Sequence, residues 1–284
     1  MAAPGPMARR IAGARSLLFV PGDRPERFDP ARASGADLVI VDLEDAVAPP
    51  NKPAARGHVA TLAQTGAEFV VRINHPRSPV GRADLTMLAA SCPPGAVGVM
   101  IPKAEDADTL RAVQAELGTS VCLVPLVETA AGVKRAAALC AVPEVVRLAF
   151  GHLDLCAELG IDPDRRDLLV PARFALVAAS AEHGLAPPID GVCAVVGDAA
   201  AIEADTRESV AGGFTGRLAI HPLQVSPIHE ALRPSEDAVA WASRILVATA
   251  AHAVTVVDGQ MVDRPVLLRA RAILMRAGAG DPGS

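Results

Sequence analysis

The stretch "SVCLVPLVETAAG" (120–132) is apolar from Val121 to Val127 and stops at Glu128. The run is short, β-branched and interrupted by Pro125, so it reads as a buried strand and not as a helix. A strand of this kind normally ends in turn residues, yet this one delivers a carboxylate where the core gives out. Seven other short apolar segments occur in the first 222 residues: "SLLFV" (16–20), "DLVIVDLED" (37–45), "EFVVRIN" (68–74), "AVGVMIPK" (96–103), "VVRLAFGHLD" (145–154), "PIDGVCAVV" (188–196) and "RLAIHP" (217–222). Between them lie Ala-rich, charged stretches of amphipathic-helix character, such as "AEDADTLRAVQAELG" (104–118) and "LLVPARFALVAASAEHG" (168–184). Strands that alternate with helices imply a parallel sheet, and nearly continuous apolar strands imply that both of its faces are covered. Eight such units point to an α/β fold of the (β/α)8 TIM-barrel type, with a doubly wound open sheet as the competitor.

The polar residues favour the barrel. The downstream ends of the segments carry, in turn, Asp23, Glu44 and Asp45, Arg72 and Asn74, Lys103, Glu128, Asp154, Asp190 and His221. In a (β/α)8 barrel these ends share one face, where active sites are built. Glu128 is therefore expected on a rim where eight strand ends converge. After His221 the pattern changes. "PSEDAVAWASRILVATAAH" (234–252) opens with a Ser N-cap and acids, the Asp-Gly of "AVTVVDGQMVDRP" (253–265) marks a turn, and "VLLRARAILMRAG" (266–278) ends on a Gly stop. The expected organisation is a flexible N-terminus over 1–14, a barrel over 15–228 and a helical C-terminal arm or lid over 229–284.

Bulk properties narrow the function classes. The 284 residues are 51% hydrophobic and 21% charged, which is globular composition. A net charge of −5 and an aromatic content of 2% give neither attraction for nucleic acid nor rings on which bases would stack. An anionic ligand must then be held locally, by placed arginines or a metal ion. The five cysteines are scattered and never spaced C-x-x-C, so they read as buried thiols. The N-terminus lacks the apolar core of a signal peptide, and no apolar run approaches the ~20 residues needed to cross a bilayer. The expected setting is a reducing cytoplasm, away from membranes.

Glu128 and Asp154 are two carboxylates on neighbouring strand ends. They can hold Mg²⁺, with Mn²⁺ as a substitute, because Mg²⁺ takes one or two carboxylates and leaves its other positions to water and substrate. Alternatively, each acid pairs with a base or caps a helix. "FGHLD" also allows a transition metal on His152 and Asp154, since residues two apart in an extended segment point the same way. Arg72 leaves a fully apolar strand, and its fork matches a carboxylate or enolate oxygen pair. A structural bridge from Arg72 to Glu44 or Asp45 is the plainer alternative. The "DLED" acids, Glu44 and Asp45 among them, are expected to support the site from behind by accepting hydrogen bonds from metal-bound waters and orienting Arg72. Lys103 reads as an ion-pair partner within the barrel, with a Schiff-base role as the alternative. "GGFTG" (212–216) matches no phosphate-loop pattern.

With these residues in hand, the chain resembles the citrate lyase β-subunit-like family of the HpcH/HpaI aldolase superfamily. The likeness runs through "RSLLFVPGDRPERF" (15–28), "GADLVIVDLEDAVAPPNKPAAR" (35–56), "VVRIN" (70–74), "IPKAE" (101–105), "VPLVETAAGV" (124–133), "LAFGHLDL" (148–155), "AIHPLQV" (219–225) and "VDGQMVDRPVL" (257–267). The resemblance implies a Mg²⁺-dependent lyase that cleaves a C–C bond in a 3-hydroxyacyl-CoA of the malyl-, citramalyl- or citryl-CoA kind. By motif, Glu128 and Asp154 would be the metal ligands. Arg72 would bind substrate oxygens, with Gly151 and Glu128 also at the substrate. Asp263 would act as acid/base from an adjacent subunit of a homotrimer or hexamer. Alternatives within the resemblance are a malyl-CoA thioesterase, a CoA-independent metal aldolase for 2-keto acids, and a citrate lyase subunit working with an acyl carrier protein. Two positions depart from the family pattern. His152 stands where a smaller residue is expected and would narrow the acid pocket, and Arg217 stands where Lys is common, which bears on recognition of the CoA phosphates.

Overall fold

The computed structural model describes residues 4–93, 95–249, 255–257 and 260–278. The chain divides into two compact units, Met1–Ile228 and His229–Ser284. In the first, eight parallel strands close into a barrel in sequence order. They are β1 (Ser16–Pro21), β2 (Leu38–Asp42), β3 (Phe69–Arg72), β4 (Val97–Ile101), β5 (Cys122–Val127), β6 (Ala149–Phe150), β7 (Ile189–Asp190) and β8 (Gly216–Ala219). Closure is made by β8 lying beside β1, with Leu17 opposite Leu218. The open-sheet alternative is thereby excluded. The strands are buried on both faces because helices cover the outside, which is why they read as continuous apolar runs.

The N-terminus departs from expectation. Instead of a flexible leader, Pro6–Gly13 forms helix α1, with Pro6 in its first turn. Met7 and Ile11 are buried, in one cluster with Leu17, Ile40, Val70, Met100, Val124 and Leu218. The helix forms because these two residues, four apart, lie on one face and have an apolar barrel end to cover. Gly98 admits it: a Cβ there would lie 2.8 Å from Ile11 Cδ1.

Between the strands run α2 (Phe28–Arg32), α3 (Lys52–Gln64), α4 (Pro79–Ser91), α5 (Ala107–Leu117), α6 (Ala130–Lys134), α7 (Ala136–Cys140), α8 (His152–Leu159), α9 (Val170–Glu182) and α10 (Ala199–Ala211). Their starts are set by side-chain caps. Asp106 accepts from Thr109 N–H at α5, and Thr129 accepts from Gly132 N–H at α6. The second cap turns the chain directly after Glu128, so the carboxylate stays at the strand end. The described helices include none long and apolar enough to cross a membrane.

Helix α11 (Val225–Leu232) holds the boundary between the units. The second unit contains α12 (Glu236–Thr249), an antiparallel pair β9 (Thr255–Val257) and β10 (Gln260–Val262), and α13 (Arg264–Arg276). Its core is Ala242, Ile245, Val262, Ala270, Ile273 and Leu274. The expected Ser cap is Ser235, whose Oγ accepts from Ala238 N–H at 3.2 Å. The Asp258-Gly259 turn lies outside the described residues.

Candidate active site

The site begins with strand register. β2 and β3 set Asp42 beside Arg72, and the two side chains meet as a fork: Arg72 Nε donates to Asp42 Oδ1 and Nη2 to Oδ2, both at 2.7 Å. Asp42 also accepts from the N–H groups of Glu44 (2.9 Å) and Ala46 (3.0 Å), which folds the "DLED" turn around it. Arg72 Nη1 lies 3.0 Å from Glu44 Oε2 and 3.5 Å from Asp45 Oδ2. Its guanidinium sits over the Phe19 ring, 4.9 Å from the centroid. Burial by itself would lower the Arg72 pKa, but the hydrogen bonds and charge of Asp42, with Glu44 and Asp45, outweigh it and hold the group above the ordinary arginine range. Nε and one Nη2 N–H are thus hydrogen-bonded to Asp42, while Nη1 faces Glu44 and Asp45 in ion-pair contacts.

Glu128, expected on the rim, stands at the end of β5 and is 2% exposed. Its Oε1 accepts the Lys103 backbone N–H at 2.8 Å. Burial, followed by the neighbouring charges of Glu44 and Asp154, pushes its carboxyl up to about 8 against the opposing pull of Lys103. Gly151 is required beside it, because a Cβ there would fall 2.5 Å from both Glu128 Cβ and Oε2. The Glu128 carboxylate therefore occupies the space that a side chain at 151 would fill.

Glu128, Asp154, Arg72, Asp42, Asp45 and Gly151 line one cavity of about 360 Å³, with Phe19, Leu126, Leu218 and His152 among its other walls. That volume is in the range of small-molecule sites. Two hard carboxylates and no soft donor suit Mg²⁺ better than a transition metal. Among the described residues, no group of three or more His, Cys, Asp or Glu is placed to hold a metal. A cation here needs water or substrate to complete its shell.

Several expected site residues fall elsewhere or behave differently. "GHLD" is not extended: α8 begins at His152, so the alternation of a strand does not set residues 152 and 154 side by side and the argument for a shared transition metal loses its basis. The His152 ring stands on the backbone of Gly191, where a Cβ would lie 2.1 Å from Nδ1. Burial, reinforced by Arg217, Arg166 and Arg173 and only partly offset by Asp190, pushes His152 down to about 4. Arg217 is 2% exposed within β8, paired with Asp205 and donating to Ser209 Oγ at 3.0 Å. It is packed between strand and helix, buried from solvent. Asp190 is likewise enclosed, ion-paired to Arg173.

Lys103 takes the ion-pair role, with Nζ 3.3 Å from Glu44 Oε1. Burial lowers its pKa, but Glu44, Glu128 and Asp45 raise it further, which disfavours the neutral amine that a Schiff base needs. Asp263 is exposed in the second unit as the N-cap of α13, accepting from Val266 N–H at 3.3 Å. Sequence reasoning takes Asp42 only as one of the "DLED" acids that orient Arg72, without singling it out, and passes over Phe19. The available signal was Asp42's place as the last residue of the apolar run "LVIVD".

The family description HpcH/HpaI aldolase/citrate lyase matches residues 15–222. A citrate lyase subunit beta-like protein of Mycobacterium tuberculosis is 39% identical over 280 residues, which is 96% of this chain and 98% of that one. A (3S)-malyl-CoA thioesterase of Cereibacter sphaeroides is 34% identical over 284 residues, again 96% and 98% of the two chains. The crystal structure of the protein CitE of M. tuberculosis, in complex with magnesium, acetoacetate and coenzyme A, superposes with a TM-score of 0.82 at 36% identity over 95% of this chain and 99% of that one. The chain belongs to the HpcH/HpaI aldolase/citrate lyase family.

Proposed function

We propose that the protein is a Mg²⁺-dependent carbon–carbon lyase acting on a 3-hydroxyacyl-CoA thioester of the malyl-, citramalyl- or citryl-CoA kind. The observation that carries this is the convergence of Glu128, Asp154 and a carboxylate-held Arg72 on one cavity. The similar M. tuberculosis protein crystallised with magnesium and coenzyme A supports the same cofactor and thioester handle here.

Glu128 and Asp154 would hold the metal. When bound, Mg²⁺ supplies Lewis-acid polarisation of the oxygens of the acid half. Arg72, fixed by Asp42, would present its guanidinium to the negative charge that develops on the thioester carbonyl oxygen as the C–C bond breaks. Its rigid mounting means that little reorganisation is needed at that moment. Gly151 leaves the room that the Glu128 side chain needs to stand in the site. Asp263 would protonate the nascent carbanion, coming from a neighbouring copy in a homotrimer or hexamer; its exposure is compatible with such a role. Five free cysteines fit a reducing compartment such as the cytoplasm.

The test offers malyl-, citramalyl- and 3-hydroxy-3-methylglutaryl-CoA side by side with Mg²⁺ and identifies products by mass spectrometry. A lyase releases acetyl-CoA or propionyl-CoA with the thioester intact, and no acyl-CoA from any substrate would count decisively against the proposal. The second reading is a thioesterase, favoured by the malyl-CoA thioesterase at 34% identity. It predicts free CoA thiol and the intact hydroxy acid.

A further inference from the structure

Lys103 is the only non-glycine residue with positive φ among the described residues, at 46°. An L-residue in the left-handed region is strained, and such strain persists only where the surroundings over-determine it. Here the turn after β4 brings two consecutive N–H groups against β5. Lys103 N–H donates to Glu128 Oε1 at 2.8 Å, and Ala104 N–H donates to Leu126 O at 3.1 Å. Gly132 permits the approach, since a Cβ there would lie 2.5 Å from Ala104 O. The side chain of the same residue runs the other way, placing Nζ 3.3 Å from Glu44 Oε1, while Glu44 Oε2 lies 3.0 Å from Arg72 Nη1.

We propose that Lys103 is a two-armed positioning residue that joins the halves of the site: its backbone N–H aims Glu128 at the metal, and its ammonium keeps Glu44 from neutralising Arg72. This rests on the lyase reading above. Without the ammonium, Asp42, Glu44 and Asp45 face the Arg72 guanidinium alone, three carboxylates to one cation, and its hold on substrate negative charge weakens. The same loss removes a positive charge near Glu128, which favours a divalent cation there. The two ligands of the site should therefore respond in opposite directions.

The experiment uses Lys103→Met, which keeps the bulk and the backbone strain, and compares Lys103→Gly with Lys103→Ala. For Lys103→Met, KM for the thioester that the wild type cleaves best should rise about tenfold, the low end for outer partners of a metal or substrate site. Mg²⁺ affinity, read by calorimetry with the metal alone, should stay equal or tighten. A merely structural lesion would weaken both. For the backbone arm, Lys103→Gly should melt about 3 °C above Lys103→Ala, the reverse of the usual order, because glycine adopts the turn without strain. A Lys103→Met enzyme with unchanged KM, or with metal affinity falling alongside it, overturns the coupling, as does an alanine variant that melts at or above the glycine one. A wild type that neither binds Mg²⁺ nor cleaves any thioester overturns the lyase reading itself, and this proposal with it.

Discussion

The tripeptide Val-Val-Arg occurs twice, at 70–72 and at 145–147, and the two arginines have opposite fates. Arg72 ends β3, donates two hydrogen bonds to Asp42 and faces Glu44 and Asp45. Arg147 precedes β6 at the other end of the barrel and is 0% exposed. Its partners are neutral: the carbonyls of Pro187 (2.5 Å), Ile11 (3.2 Å) and Ala14 (2.6 Å), and Thr215 Oγ1 (2.8 Å). Arg72 is raised above the ordinary range, whereas burial pushes Arg147 down to about 9. Local sequence is the same, so the difference lies in what the fold brings to each end. Carboxylates around a guanidinium at the strand ends make a site, while neutral carbonyls around a fully buried one make a clamp.

Four measurements break or sharpen this contrast. The largest effect is expected for Glu128→Gln, which removes one of the two proposed metal carboxylates. Mg²⁺ binding by calorimetry should be lost and kcat/KM should fall by about 10⁴-fold. Retained metal binding would remove the functional half of the comparison. Next, Arg147→Met leaves three buried carbonyls without their donor and should cost about 4 kcal/mol in urea unfolding, with kcat/KM of the folded protein unchanged. A Met variant that lost activity before stability would mean that both ends serve the reaction.

Arg72→Lys keeps the charge but breaks the fork. It should reduce kcat/KM by about 10²-fold while moving the unfolding midpoint little. Equal activity would show that a point charge suffices and that the bidentate mounting on Asp42 is incidental. The smallest effect concerns His152, which lies at the Arg72 end yet, like Arg147, is lowered by burial, to about 4. As pH falls below the ordinary histidine value, the unfolded chain takes up a proton that the folded chain refuses until about pH 4. Stability should therefore drop by about 1 kcal/mol between pH 6.5 and 5.5, the sign set by greater proton uptake in the unfolded state. His152→Asn should flatten that slope in unfolding titrations. An unchanged slope would mean that other groups carry it.

The barrel was legible because each strand announces itself as a short apolar run and each run ends in something polar. Glu128 and Arg72 were legible for the same reason. What escaped were facts fixed by partners far along the chain. Arg217 reads as a cation for the CoA phosphates until Asp205 and Ser209 enclose it from the preceding helix. Asp190 stands at a strand end like Glu128 but is consumed by Arg173. Asp154 looked like part of a strand because helix and strand patterns cannot be told apart over four residues; the early helix start at His152 decides it. The leader looked disordered because Met7 and Ile11 show their pattern only against a barrel end that the sequence does not display.

That last point bears on anyone shortening the gene. The family match begins at residue 15, which invites a clone trimmed to that position. Such a trim would uncork the barrel: Ile11 would no longer fill the gap over Gly98, and Arg147 would lose the carbonyls of Ile11 and Ala14. Purification tags on this protein belong ahead of the first helix, never in place of it.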